Sequence, residues 1–347
     1  MSRWLEFDRR LREVDEDIGK LERLLAAPSI SEDRKRQVRE QIADMRERQE
    51  QITREVFTRL SAWDNVLLAR HADRPYTLDY IGLIFDDFVE LHGDRRFGDD
   101  PAMVAGLASL DGRRVAVIGQ QKAREVKERQ FRNFGSAHPE GYRKAARVMK
   151  LAEKLQLPVV SFVDTPAAES RLDAEERGIA NAIAENMLLM SQLGTPILAV
   201  IIGEGGSGGA IGIAVADRVL MLEHAVYSVI PPESCAVILE AFGRDPKRGP
   251  EAAEALRLSA ERTKQLGAVD AVIPEPLGGA QRDPAATAES LKAALLASLD
   301  ELGAIPVETL LERRYRKFRE IGYFVDEATE PSSSSSDPLW GDGAAQQ

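Results

Sequence analysis

Cysteine and histidine are scarce in this chain of 347 residues. The single cysteine, Cys235, excludes an internal disulfide framework. The four histidines lie too far apart along the chain to form a metal-binding motif, so we expect no metal bound by this chain alone.

Long apolar runs are also missing. The longest, residues 196–202, is far shorter than the roughly 20 residues that cross a membrane as a helix. The first residues are densely charged, unlike a signal peptide. We therefore expect a cytoplasmic protein that does not associate with membranes.

Basic residues are outnumbered by acidic ones, 46 to 57, which gives a formal net charge of −11. Nucleic acids and acidic membranes repel such a surface, so we expect no general affinity for either. Apolar residues make up 44% of the chain, enough to form the core of one large domain or two small ones.

The first 60 residues carry apolar side chains at heptad-like spacing, with charges between them. This pattern predicts a helical hairpin that packs against the body of the protein or a partner. Pro28 would end the first helix, and Ser29 or Ser31 would cap the second. The apolar positions are Leu11, Val14, Ile18, Leu21 and Leu25, then Val38, Ile42, Met45, Ile52 and Val56.

Beyond Pro75 the pattern changes to strands that alternate with helices, which predicts a mostly parallel α/β sheet with helices outside. A turn at Asp111 and Gly112 joins the first two strands. One helical face spans Tyr142 to Leu155, and another spans Ile179 to Met190. The predicted strands are residues 103–110, 114–119, 159–163, 197–202, 219–222 and 226–230.

We divide the chain into three parts on this basis. Residues 1–70 form the helical hairpin and residues 71–325 form the α/β domain. Residues 326–347 are rich in serine and acidic residues and have no periodicity, which predicts a disordered tail.

The stretch IIGEGGSGGAIGIAVAD, residues 201–217, admits several interpretations. Its glycines fit the dinucleotide-binding pattern G-x-G-x-x-G, and around Ser207 they fit the nucleophile elbow G-x-S-x-G. They also suit an oxyanion hole, in which backbone N–H groups stabilise an oxygen that gains negative charge. A tight strand-to-helix turn without a ligand is a fourth interpretation.

Position along the chain weighs against the first two interpretations. A dinucleotide fingerprint usually opens the first βαβ unit, whereas about 95 residues of α/β pattern precede this one. The only histidine after Ser207 is His224, poorly placed for a catalytic triad. The sequence favours an oxyanion hole, while the turn without a ligand stays open.

The surrounding residues resemble the crotonase superfamily in the glycine segment, the short helix, the Ala-Asp step into a strand and the Pro232-Glu233 turn. More narrowly, the chain resembles the family of carboxyltransferase α subunits of bacterial acetyl-CoA carboxylase, over about residues 4–324. The supporting blocks are ARHADRPYTLDYI at 69–81, ELHGDR at 90–95, QKAREVKERQFRNFG at 121–135, HPEGYRKA at 138–145, FVDTP at 162–166, AEERG at 174–178 and YSVIPPESCA at 227–236.

The resemblance implies a crotonase-like ββα superhelix behind an N-terminal helical hairpin. It implies transfer of the carboxyl group from carboxybiotin to acetyl-CoA, which gives malonyl-CoA for fatty-acid synthesis. The implied partners are a β subunit in an α2β2 assembly, a biotin carboxyl carrier protein that bears the biotin, and a biotin carboxylase. Zinc is expected in the β subunit and not in this chain.

The resemblance also implies site residues. The N–H groups of Gly208, Gly209 and Ala210 would form the oxyanion hole for the biotin ureido oxygen. Biotin itself can then accept the methyl proton, so no side-chain base is required, and no carboxylate pair is evident in the sequence. The residues expected to border carboxybiotin are Gly205, Gly206, Pro166 and Ala167.

A basic segment provides a second candidate feature. Residues 119–150 contain nine Lys or Arg residues against three acidic ones, inside an acidic protein. Such clustering attracts anions such as the carboxybiotin carboxylate or the phosphates of CoA, although solvated helix faces would show it too. Lys122 and Arg124, just beyond a predicted strand, are the candidate anion-binding residues.

The chain departs from the family pattern in two places. Ala167, Glu169, Ser170, Arg171 and Asp173 occupy a loop that is usually richer in glycine, and Gln120 and Ala123 replace His and Gly. Such changes can remodel the wall of a substrate tunnel or alter acyl preference. The altered loop leaves open a non-catalytic scaffold for the β subunit, and a stand-alone crotonase-type hydratase or hydrolase is a separate alternative.

Overall fold

The computed structural model describes residues 5, 9–27 and 30–322. Pro28, Ser29 and the predicted disordered tail at 326–347 lie outside these residues. The division of the chain at residues 70 and 325 stays a prediction.

The N-terminal hairpin consists of helices α1, Arg9–Leu25, and α2, Glu32–Phe57. Ser31 is the N-cap of α2, and its side chain accepts a hydrogen bond from the Arg34 N–H, as one of the two predicted caps requires. Asp15 on α1 pairs with Arg282 of the body at 3.1 Å. The predicted apolar stripes supply the hairpin core: Leu11, Val14, Ile18 and Ile52 form one buried cluster, and Val38 and Ile42 are also buried.

One sheet organises the rest of the chain, in the order β1-β2-β3-β4-β5-β6-β8, with β7 paired to the far end of β5. The pairs β1·β2 and β2·β3 are antiparallel, and the others are parallel. The strands are β1 Asp86–Glu90, β2 Met103–Leu110, β3 Arg113–Gln120, β4 Val159–Thr165, β5 Ile197–Gly206, β6 Arg218–Leu222, β7 Val226–Ser228 and β8 Ala271–Ile273.

The predicted strands are all present, with three corrections. The sequence prediction missed β1 because it is polar, and it missed β8 because three residues carry too weak a pattern. The predicted strand 226–230 ends two residues early, at Ser228, before Pro231 and Pro232. Asp111 and Gly112 both have positive φ, 52° and 79°, which confirms the predicted turn between β2 and β3.

Helices flank the sheet and close its edges. Helix α6 buries Tyr142, Ala145, Met149 and Ala152 as predicted, but Leu155 follows its last turn and is half exposed. The helices after the hairpin are α3 Ala62–Ala69, α4 Thr77–Ile84, α5 Val126–Phe131, α6 Pro139–Lys154, α7 Leu172–Glu176, α8 Ile179–Gln192, α9 Ser207–Ile211, α10 Pro232–Ile238, α11 Gly249–Leu256, α12 Ala260–Gln265, α13 Pro284–Gly303 and α14 Val307–Arg319.

Arg314 of α14 binds residues at the edge of the sheet where the parallel strands begin, here called the amino edge. Its guanidinium donates five hydrogen bonds: two to the buried carboxylate of Asp217, and one each to the carbonyls of Met190, Leu193 and Thr195. Every N–H group of this guanidinium therefore has an acceptor.

The opposite edge, here called the carboxyl edge, is where β3, β4 and β5 end. Parallel strands bring the residues that follow them to the same edge of a sheet. Residues 120–124, 164–168 and 203–209 therefore converge there, although they are far apart in sequence.

Candidate active site

The glycine segment is mostly strand, not the loop that the sequence predicts after residue 202. Strand β5 continues to Gly206 because its end pairs with β7 on one side and, through Gly205, with Thr165 on the other. The chain then passes through Ser207, at a φ of 54°, directly into the single turn of α9. The site is therefore a sharp strand-to-helix junction.

Close packing explains four of the five glycines within residues 203–209. A Cβ atom on Gly206 would lie 2.0 Å from the Pro166 carbonyl oxygen, and one on Gly209 would lie 2.5 Å from the Ala168 nitrogen. On Gly203 and Gly205 a Cβ would lie 2.5 Å from Asp164 Oδ1 and 2.7 Å from the Tyr227 ring. The interpretation as a tight turn therefore accounts for much of the pattern.

Gly208 has no such packing reason. A Cβ atom at this position would only contact Ile183 Cδ1, at an ordinary 3.7 Å. Within the described part of the chain, the N–H groups of Gly208 and Gly209 donate to no acceptor. Gly208 is partly exposed, whereas Gly209 and Ala210 are buried. Because α9 has only one turn, its dipole is small. These two N–H groups would therefore contribute more than the helix dipole to stabilising a negative charge here.

Two buried side chains donate hydrogen bonds to the same segment. Gln120 Nε2 and the Tyr142 hydroxyl donate to the Gly209 carbonyl at 2.9 and 3.1 Å. Gln120 also accepts the Asp164 N–H at 3.1 Å, so it links the ends of β3, β4 and β5. Gln120, which the family resemblance marks as a departure from the usual pattern, thus makes hydrogen bonds through both its amide nitrogen and its amide oxygen.

Lys122 lies between two carboxylates. Its ammonium group contacts Asp164 Oδ1 at 2.8 Å and Glu204 Oε2 at 2.6 Å, and the Glu204 N–H donates to Asp164 at 3.0 Å. Two carboxylates therefore lie close together here, although no carboxylate pair is evident in the sequence. The pair was missed because 40 residues separate its members and only the pairing of β4 with β5 brings them together.

Burial and charge act in opposite directions in this cluster. Burial raises the pKa of Asp164, and the attraction of Lys122 offsets only part of that effect. Burial also acts to raise the pKa of Glu204, but Lys122 and Arg70 together lower it. Burial acts to lower the pKa of Lys122, yet the two carboxylates raise it overall. Lys122 therefore stays charged and is engaged inside the protein.

Arg70 extends the cluster towards the surface. Its Nε atom contacts Glu204 Oε1 at 2.6 Å, and its other nitrogens pair with Glu233. Arg70 and Glu204 line both of the hollows that open at the carboxyl edge. The sequence prediction missed Arg70, although it stands in one of the blocks that carry the family resemblance.

The two hollows separate the predicted site residues into groups. Pro166 lines both hollows; Gly205 and Gly206 line the first, and Lys122 lines the second. Gly208, Gly209, Ala210 and Ala167 line neither hollow. The second hollow is lined by Ala69, Arg70, Tyr76, Lys122, Ala123, Arg129, Phe134, Pro166 and Glu204.

Arg124 is not brought together with the other predicted site residues. It pairs with Asp79 at 2.8 Å and stacks over the Tyr76 ring, 4.8 Å from the centroid. Its side chain is exposed and contacts the second hollow only through Tyr76.

Two kinds of feature are absent from residues 5, 9–27 and 30–322. No group of three or more His, Cys, Asp and Glu side chains could hold a metal ion there. None of the helices within this part of the chain is long and apolar enough to cross a membrane.

A family model described as acetyl co-enzyme A carboxylase carboxyltransferase-like matches residues 4–322. The chain belongs to this family. It is 56% identical to the acetyl-coenzyme A carboxylase carboxyl transferase subunit alpha of Geobacter sulfurreducens, over 78% of this chain and 84% of the relative. It is 50% identical to the subunit of that name from Pseudomonas paraeruginosa, over 92% of this chain and 98% of the relative.

Similarity to solved structures shows the fold of this chain. Transcarboxylase 12S shares 19% identity at a TM-score of 0.53, over 65% of this chain and 41% of its own. The chain thus spans about two fifths of that protein. A Pseudomonas malonate decarboxylase hetero-tetramer shares 18% identity at a TM-score of 0.52, over 63% of this chain and 86% of its own. These likenesses concern the fold alone and confirm the predicted α/β fold of the crotonase type.

Membership of the acetyl co-enzyme A carboxylase carboxyltransferase-like family confirms the predicted family and enzyme class. It supports carboxyl transfer over the two alternatives, the stand-alone hydratase and the scaffold without activity. The relatives are named as α subunits, so the chain is one part of a larger complex.

Proposed function

We propose that this chain is the α subunit of an acetyl-CoA carboxylase carboxyltransferase and contributes the carboxybiotin side of its site. The observation that supports this most directly is the pair of N–H groups at Gly208 and Gly209, which have no acceptor within the described residues. Gly209 packs against the backbone of Ala167 and Ala168, the two residues that follow Pro166.

This chain contributes hydrogen-bond donors to the reaction: it fixes the position of backbone N–H groups and polarises them. When carboxybiotin is bound, it supplies the carboxyl group, and its ureido oxygen gains negative charge as that group leaves. The N–H groups of Gly208 and Gly209 would donate to that oxygen. Gln120 and Tyr142 donate to the Gly209 carbonyl, which shares a peptide unit with the Ala210 N–H, so they make that N–H a stronger donor.

Lys122 has a different role in this proposal from the one that its position in the sequence suggests. Because its ammonium group is engaged by Asp164 and Glu204, we infer that it joins the two halves of the wall rather than binding a free anion. Asp164 precedes the segment of Pro166 and Ala167, and Glu204 precedes Gly205 and Gly206. Substrate contact by Lys122 or Arg124 remains a hypothesis.

The proposal extends to the partners. A β subunit would complete the site, bind acetyl-CoA and carry zinc, in an α2β2 assembly with a biotin carboxyl carrier protein and a biotin carboxylase. The product would be malonyl-CoA for fatty-acid synthesis, in the cytoplasm. The names of the relatives, which are α subunits of a carboxyl transferase, support a second kind of subunit.

The direct test is Gly208→Ala, assayed as carboxyl transfer to acetyl-CoA after reconstitution with a β subunit. A methyl group here meets only Ile183 inside the protein but crowds a ligand at the neighbouring N–H groups. We expect transfer to fall roughly 10²-fold, the size of effect seen when one oxyanion donor is lost. Gly303→Ala, on a helix with open space around it, is the matched control.

Near-normal transfer by Gly208→Ala would exclude these N–H groups as the donors. Gly209→Val is less informative because its side chain would collide with the backbone of Ala167 and Ala168. The subunit assignment is tested separately by mixing. Transfer should require both chains, and hydration of an acyl-CoA by this chain alone would contradict the assignment.

A further inference from the structure

Glu169 is a buried carboxylate in the loop between β4 and α7, only 8% exposed. One of its oxygens accepts the N–H groups of Ser170 and Arg171, both at 2.8 Å. The other accepts Asn133 Nδ2 at 2.6 Å and the Arg171 guanidinium at 3.0 Å. Burial acts to raise the pKa of Glu169, but these donors lower it to about 2, so it is ionised near neutral pH.

Asn133, the far partner of this carboxylate, begins an unusual turn. Asn133, Phe134 and Gly135 have successive positive φ values of 44°, 55° and 82°. This conformation is unfavourable for asparagine and more so for phenylalanine, so neighbouring contacts must hold it. The Asn133 side chain provides them: it donates to Glu169 and to the Ser136 carbonyl, and accepts from Arg171.

The turn lies directly on Lys122. A Cβ atom on Gly135 would be 2.7 Å from Lys122 Cγ, so the backbone of the turn covers the aliphatic part of that lysine. Phe134, the middle residue, is 55% exposed and lines the second hollow beside Lys122 and Pro166. The position of the turn thus sets both the cover over Lys122 and one wall of the hollow.

We propose that Glu169 is a positioning residue for the carboxyl edge. Its carboxylate ties the loop that carries Pro166 to the turn at Asn133, which keeps Lys122 covered and Phe134 at the wall of the hollow. The effect on catalysis rests on the proposed function, whereas the effect on Lys122 does not.

Only a carboxylate of this length fits the arrangement. Both oxygens face N–H donors, so the amide of glutamine would turn its own NH2 group towards at least one of them. Aspartate is one methylene shorter and would not reach Asn133 and the loop N–H groups together. Glu169→Gln therefore removes the hydrogen bonds to one of the two side-chain oxygens, with almost no change in side-chain volume.

The first experiment measures the cover over Lys122. Full-length protein, reconstituted with its β subunit, is treated briefly with acetic anhydride, and acetylation of Lys122 is followed by mass spectrometry. Glu169→Gln should raise the rate of Lys122 acetylation roughly tenfold, because a charge-assisted hydrogen bond that opposes opening is lost. Glu175→Gln, which removes the charge of an exposed glutamate on α7, is the control. Equal rates in both variants would overturn the proposal.

A rescue variant separates positioning from general destabilisation. In Glu169→Gln combined with Asn133→Asp, the new carboxylate accepts the glutamine NH2 and the glutamine oxygen keeps the two loop N–H groups, but the donor from residue 133 to the Ser136 carbonyl is lost. Lys122 acetylation should therefore fall part of the way back towards the wild-type rate. A double variant as reactive as Glu169→Gln would indicate only loss of stability and would also overturn the proposal.

The kinetic readout tests the catalytic consequence. Glu169→Gln should raise the KM for carboxybiotin several-fold and leave the KM for acetyl-CoA unchanged, whereas a loss of folded protein would lower kcat alone. If acetylation rises but both KM values stay constant, the positioning role in catalysis is wrong and the proposed function stands. If the wild-type protein transfers no carboxyl group, the proposed function fails, and acetylation still decides the role of Glu169.

Discussion

Two cations, the buried Arg314 and the partly buried Lys122, lie at opposite edges of the same sheet and differ in how their surroundings satisfy them. At the amino edge, Arg314 meets one carboxylate and three carbonyls, with an acceptor for each N–H group. At the carboxyl edge, Lys122 and Arg70 meet three carboxylates, of Asp164, Glu204 and Glu233.

This difference shows that burial of charge alone does not mark a functional site. The Arg314 centre is locally balanced and fully hydrogen-bonded, as expected of a structural contact. The Lys122 centre has one carboxylate more than it has cations, and it borders two hollows. An unbalanced cluster of this kind can respond to a ligand by shifting a proton or a side chain.

Arg314→Met should have the largest effect. The variant leaves Asp217 buried without its cation and three carbonyls without a donor, so we expect the free energy of unfolding to fall by about 3–5 kcal/mol. Urea denaturation of the isolated chain measures this, with Arg316→Met, an exposed residue on the same helix, as control. A loss below about 1 kcal/mol would mean that the amino edge does not depend on this contact.

Lys122→Met should lower the free energy of unfolding less than Arg314→Met does, but it should lower carboxyl transfer more. Asp164 and Glu204 would lose their shared cation, yet Asp164, whose pKa burial already raises, can accept a proton. We expect a loss of about 1–3 kcal/mol in the free energy of unfolding. Carboxyl transfer should drop far more than this loss explains at a temperature where the variant is folded. Lys150→Met, exposed on α6, should leave both quantities unchanged, and equal behaviour of the two variants would refute the contrast.

Glu169→Gln should change the pH dependence of stability. The pKa of Glu169 is lowered from 4.5 to about 2, so its ionised form stabilises the fold above pH 4.5, and that contribution is lost as the pH falls towards 2. The wild type should therefore be more stable than the variant at pH 7, and the gap should narrow from pH 4.5 downwards. Denaturant midpoints at a series of pH values measure it; a constant gap would contradict the assignment.

Gly208→Ala should have the smallest effect on stability. The new methyl group meets only Ile183 at 3.7 Å, and alanine is the better helix former, so the free energy of unfolding should change by less than about 1 kcal/mol. The same substitution should lower carboxyl transfer roughly 10²-fold, so that its effect on activity is separate from its effect on stability. Thermal denaturation beside the activity assay checks this, and a large loss of stability would remove the distinction.

Much of the fold could be predicted from the sequence. The strand cores 159–163 and 197–202 are continuous apolar runs, and the hairpin stripes from Leu11 to Val56 have helical spacing; both signals are local. Strand β1 could not be found because its residues, DDFVE, lack an alternating pattern. Strand β5 extends through Gly206 because its end pairs with the strands that contain Thr165 and Val226. Glycine has a low intrinsic preference for strands, so the sequence alone did not predict this extension.

The candidate site could be predicted only in part. Gly208 and Gly209 were found because a cluster of glycines after an apolar strand is a visible pattern. The sequence also placed Lys122 near the site because it follows a strand. Its two partners, Asp164 and Glu204, could not be found, because the register of β4 on β5 decides which charges meet. The role of Glu169 depends in the same way on a turn more than 30 residues away.

The contact between the Pro166 carbonyl and the backbone of Gly206 has a practical consequence for engineering. The two main chains touch without an intervening side chain, so neither segment can gain bulk while the other keeps its path. Libraries that randomise residues 165–168 or residues 203–209 separately would therefore yield mostly misfolded proteins. Changing the acyl or cofactor preference of this edge would require both segments to be varied together, with backbone remodelling allowed in each.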